Sequence, residues 1–171
     1  MLFDDELAKA GDANEILIQT RIPEALTELI DSYEFYFRTR ISFIESAMRS
    51  FLSDFSRDYK ILEKEITPEL VKQSGNDKGQ AISALFKTRP YHITGGRNTV
   101  QVNLKISKKF AMDLRTINDL TLQINDTPTF INYCCTYLLN SSFIAANAWL
   151  EGYYSFDKMV GKTLDTSDKD V

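Results

Sequence analysis

The sequence predicts a mostly α-helical protein with one β-strand per chain. Three observations carry this expectation. Apolar residues recur at helical spacing from Leu26 to Leu62. Residues 99–106 alternate strictly between apolar and polar. Two further helical patterns follow that alternation directly. Only seven glycines and four prolines interrupt the 171 residues, which favours long helices over a many-turned β fold. A hydrophobic content of 43% and an aromatic content of 12% are enough for a packed core.

Residues 1–20 are polar and predict a flexible N-terminus. Pro23 suits the first position of a helix. Leu26, Ile30, Tyr33, Phe37, Ile41, Ile44, Met48, Phe51, Phe55, Tyr59 and Leu62 then recur by threes and fours, as on one long helix or on two with a bend. Consecutive steps of four break a strict heptad, so a helix packed on a core fits better than a coiled coil. The aromatic side chains of this stripe suit a core or a dimer interface better than a ligand site. Thr67-Pro68 ends the pattern and can start a short helix. Gly75, Asn76 and Gly79 mark a loop, and Gln80 to Phe86 fits a short helix. The helical extension therefore spans 21–87, and a basic connector with Pro90, Gly95 and Gly96 spans 88–98. No internal repeat is evident.

Val100, Val102, Leu104 and Ile106 are apolar, and Thr99, Gln101, Asn103 and Lys105 are polar. This is the pattern of a strand with one buried and one open face. A lone strand leaves both edges unpaired. Pairing with its copy in a second subunit removes that cost, so a homodimer is expected, with these polar side chains from both copies on one open face. Ser107 is a good N-cap for a helix from Lys108 to about Gln123. Asn125-Asp126-Thr127-Pro128 reads as a turn and helix start, and the second helix runs to about Leu150. The module spans 99–152, and the polar tail 153–171 closes the chain.

Charge is unevenly spread. From Lys78 to Met112 there is no acidic residue, while Lys78, Lys87, Arg89, Arg97, Lys105, Lys108 and Lys109 give a local +7. Against a whole-chain −4, the remainder carries −11. A basic segment on an acidic body directs phosphate binding to one face. The start of the chain holds Asp4, Asp5 and Glu6 in place of a basic leader, and no run is long enough for a membrane span. Cys134 and Cys135 are adjacent on a predicted helix, where a bridge between them is strained. Cys134 reads as core and Cys135 as a helix flank. A reduced, cytoplasmic protein without membrane attachment is expected.

Strand, helix, helix within some fifty residues, with a polar-faced strand first, resembles the ribbon-helix-helix DNA-binding family. Gln101-Val102-Asn103-Leu104-Lys105 is similar to the alternating ribbon of its Arc-like members. The resemblance implies a dimer whose two-stranded ribbon enters the major groove of double-stranded DNA, in a bacterial, nucleoid-associated protein. It assigns Thr99, Gln101, Asn103 and Lys105 to base edges, and Arg97, Lys108, Lys109, Thr127 and Thr129 to phosphates. The start of the second helix suits a phosphate because its backbone N–H groups are unpaired. The usual glycine turn of the family is replaced by Asn125-Asp126. The order of a helical half entered through Gln19-Thr20-Arg21, a Pro90-Tyr91 connector and then the strand with its helices also resembles the AcaB-like transcriptional regulators of conjugative elements. That resemblance implies activation over repression, with RNA polymerase as a candidate partner.

No enzyme chemistry is legible. His92 is the one histidine, and Cys134, Cys135 and His92 lack zinc-site spacing, so no metal or cofactor is expected. Gly95-Gly96-Arg97 lacks the strand and the ending of a phosphate loop and reads as a hinge. Acidic pairs such as Asp4-Asp5 and Glu63/Glu65 read as solvated charge. The leading expectation is a transcriptional regulator. Two alternatives stand beside it: a DNA-organising accessory factor of a conjugative transfer complex, and a helical protein-interaction module that binds no nucleic acid.

Overall fold

The computed structural model describes residues 1–32, 39–88 and 97–140. Most of the basic connector, Tyr33 and Phe37 of the apolar stripe, the far end of the last helix and the tail lie outside the described residues. The order is α1 (Asp4–Ala10), β1 (Glu15–Pro23), α2 (Glu24–Asp31), α3 (Arg40–Glu65), α4 (Pro68–Gln73), α5 (Lys78–Lys87), β2 (Thr99–Ser107), α6 (Lys108–Leu120) and α7 (Thr127–Leu139).

β1 and β2 form a two-stranded antiparallel sheet. This corrects two expectations. The described residues hold two strands, not one, and the partner of residues 99–107 is residues 15–23 of the same chain, not a second subunit. The homodimer inferred from an unpaired strand thus loses its premise. The physical reason is tethering. A strand on the same polypeptide is present at high effective concentration, and pairing with it forgoes the translational freedom that association loses. The expected flexible N-terminus is also overturned. Leu2, Phe3, Ile16 and Ile18 are each at most 1% exposed, which anchors α1 and β1 in the core.

The register sets Gln19 opposite Asn103, Leu17 opposite Lys105 and Arg21 opposite Gln101. Ile16, Ile18, Thr20 and Ile22 of β1 point inward with Val102, Leu104 and Ile106 of β2, and all are buried. A two-stranded ribbon is marginal alone, so the helices covering this inner face stabilise it.

The fold also holds a repeat that the sequence did not disclose. A shift of 84 residues, from Gln19 to Asn103, carries β1 onto β2, and the two strands are related by a local two-fold axis at that pair. The correspondence continues past the strands. Pro23 and Ser107 are the N-caps of the helices that follow. The Glu24 N–H donates to the Asn98 carbonyl at 3.0 Å and the Lys108 N–H to the Asn14 carbonyl at 2.8 Å, the same hydrogen bond in each half. Leu26, Thr27 and Ile30 of α2 fall on Phe110, Ala111 and Leu114 of α6, and all six are buried. Each strand is followed by a short helix and then by one of the two helices, α3 and α7, that pack together in the core. The alternation of inward and outward positions repeats along the strands while residue identity, Ile22 and Ile106 apart, does not, which hides the repeat from inspection.

The α3–α7 contact is aromatic. Phe51 meets Phe130 edge-on at 5.0 Å, and Phe55 meets Tyr137 at 5.3 Å and Phe86 of α5 at 5.1 Å. Pairs of this kind add about 0.5–1.5 kcal/mol each beyond area burial. Of the two arrangements the stripe allowed, one long helix or two, the described residues show two, α2 ending at Asp31 and α3 starting at Arg40, with Thr39 capping α3 through the Ser42 N–H. Thr67 and Ser107 cap α4 and α6 as their sequences predict. Helix α6 stops at Leu120, short of the expected Gln123. Buried Asn118 there binds both the N–H and the carbonyl of Ile124, and Gln123 takes a left-handed φ of 58°.

Candidate nucleic-acid interface

The outer ribbon face follows from strand periodicity. With the inward positions filled by β-branched and aliphatic residues, every second side chain must face solvent. Leu17, Gln19 and Arg21 of β1 and Thr99, Gln101, Asn103 and Lys105 of β2 are all exposed on it, with Glu15 and Ser107 at one end. The four expected base-contacting residues are therefore together on one open surface. They are joined by three that the sequence reading missed. The signal that finds Leu17, Gln19 and Arg21 is the inward series Ile16, Ile18, Thr20, Ile22 two residues apart.

Internal hydrogen bonds on this face are few and weak. Gln101 Nε2 donates to Asn103 Oδ1 at 3.2 Å, and Arg21 donates to Thr99 Oγ1 at 3.3 Å. These surface bonds are easily exchanged for bonds to a ligand. The face carries amide donors and acceptors near the axis and a cation two residues to either side, Arg21 and Lys105.

The expected phosphate contacts divide. Arg97 is exposed, two residues before the start of β2. Lys109 is largely in solvent and pairs with Asp113 at 2.7 Å, a surface ion pair of small net worth. Lys108 is half-buried and donates to the Gly11 carbonyl at 2.5 Å, which ties the loop before β1 to the end of β2. The start of α7 differs from expectation in its chemistry. Asp126 caps it, accepting from the Thr129 N–H at 2.9 Å and from the Thr129 hydroxyl at 2.5 Å. Thr127 faces Glu6 at 3.4 Å. The carboxylates of Asp126 and Glu6 therefore occupy the place where Thr127 and Thr129 were expected to meet an anion.

Both cysteines are fully buried, which corrects the flank position expected for Cys135. Burial pushes both thiols well up from their ordinary range, and the adjacent Cys135 raises Cys134 further. Neither supplies a thiolate near neutral pH. Among the described residues no group of three or more His, Cys, Asp or Glu side chains is placed to hold a metal ion, and no helix is long and apolar enough to cross a membrane. His92 and the Gly95-Gly96 hinge lie outside the described residues. No protein-family model, curated protein or solved structure matches the chain.

Proposed function

We propose that this chain is a sequence-specific DNA-binding protein of the ribbon-helix-helix class, acting in transcription regulation, and that one polypeptide supplies both halves of what is otherwise a dimer. The observation that carries this reading is the outer face of the β1–β2 ribbon. It presents Gln19, Arg21, Gln101, Asn103 and Lys105 in one exposed array, backed by a helical layer that holds it rigid. The major groove is wide enough to admit a two-stranded ribbon. Amides suit the paired donor and acceptor of adenine, and cations suit the acceptors of guanine. Arg97 and Lys109 add positive charge beside the ribbon on a chain that is otherwise acidic, which favours one docking face.

The test is selection of bound duplexes from a random pool, followed by titration of the selected sequence. Gln101→Ala and Asn103→Ala each weaken binding to that sequence by about 1–3 kcal/mol and weaken random DNA less. Lys109→Ala weakens both similarly and lowers the salt dependence by about one unit. Equal binding of the selected sequence by Gln101→Ala and the parent contradicts the assignment of this face.

A further inference from the structure

The two halves of the ribbon are not equivalent on the face proposed to read bases. Under the 84-residue shift Gln19 falls on Asn103 and Arg21 on Lys105, so amide replaces amide and cation replaces cation. Leu17 breaks the rule, because it falls on Gln101. This leucine is 49% exposed on a face that is otherwise polar, while the isoleucines of the same strand fill the core. Leu17 faces Lys105 across the ribbon, and Gln101 faces Arg21. One end of the ribbon thus offers a cation with an amide, and the other a cation with an isobutyl group. Arg21 and Lys105 stand four residue steps apart along the ribbon, about 13 Å. That is the length of about four base-pair steps.

Leucine has no hydrogen bond to give a base edge. The groove feature it fits is the thymine 5-methyl group, which apolar side chains contact. We propose that a single chain recognises a non-palindromic duplex: guanines about four base pairs apart are met by Arg21 and Lys105, and a thymine methyl is met by Leu17 beside the Lys105 guanine only. This rests on the DNA-binding reading above and adds to it the symmetry of the target.

The experiment selects duplexes from a random pool with the parent protein and with Leu17→Gln, and measures the native mass of each selected complex. Leu17 lies on the solvent face, so the variant keeps the parent's circular dichroism and melting midpoint. The parent selects a site without two-fold symmetry and binds it as one chain per duplex. Leu17→Gln selects a site whose two ends are more alike. Replacing the assigned thymine by uracil, which removes only the methyl group, weakens the parent about four-fold and leaves Leu17→Gln unchanged. A palindromic parent site, two chains per duplex, or equal uracil effects on both proteins overturns this inference while leaving DNA binding in place. Absence of any sequence-selective, salt-sensitive binding overturns the DNA reading and this inference with it.

Discussion

Thr20 occupies an inward position of β1 between Ile18 and Ile22, and it is only 3% exposed. Its hydroxyl has no hydrogen-bond partner among the described residues. A buried, unpaired hydroxyl costs about 1–3 kcal/mol relative to its hydrated state. Thr20→Val keeps the branched shape and removes that cost. It should raise stability by about 1 kcal/mol, seen as a higher urea midpoint with an unchanged slope. A lower midpoint would mean that the hydroxyl is satisfied. The same residue explains why β1 was not legible in the sequence. A polar threonine on the inner face and an apolar Leu17 on the outer face each break the alternation, so Glu15 to Ile22 lacks the clean period that identifies Thr99 to Ile106.

At the scale of elements, legibility followed local chemistry. β2 and the caps of α4 and α6 were readable because period and capping residues agree. A division into two helices was one of the two arrangements the stripe allowed, but its place between α2 and α3 was not legible, because the stripe keeps its spacing across it. A pair between residues on either side of it bridges that division. Arg40 at the start of α3 donates two hydrogen bonds to Asp31 at the end of α2, at 2.7 and 2.9 Å. Those bonds hold the Asp31 carboxyl below its ordinary value. A depressed carboxylate contributes stability above its unfolded pKa and loses it as pH falls through the folded one. Both side chains are about half exposed, so screening limits the pair to under about 1 kcal/mol. Asp31→Asn should therefore lower stability slightly at neutral pH. Its denaturation midpoint should converge on the parent's as the pH is lowered through and below the aspartate range. A gap that persists in acid would assign the effect to packing.

At the scale of the whole molecule, the part of the site on β2 follows from a clean local pattern, whereas the part on β1 has only the broken series Ile16, Ile18, Thr20, Ile22 to mark it. Thr99, Gln101, Asn103 and Lys105 needed only a local pattern. Their neighbours Leu17, Gln19 and Arg21 arrive through a pairing across 84 residues of chain, which no local pattern encodes. The unpaired edges of β2 do require a partner strand, but that partner lies near the start of the same chain. Two strand–helix–helix halves on one chain, meeting at Gln19 and Asn103, satisfy the requirement without a second subunit.

That internal pairing is tested most directly by a variant carrying both Gln19→Cys and Asn103→Cys, mildly oxidised and followed by mass spectrometry and non-reducing electrophoresis. Directly opposed residues in an antiparallel pair lie about 4.5–5.5 Å apart at Cα, within the range a disulfide spans. Cys134 and Cys135 are buried and do not compete. The structure predicts a species of single-chain mass in which the two introduced thiols, at positions 19 and 103, are joined to each other; a covalent dimer joined through position 103 of two chains would contradict it.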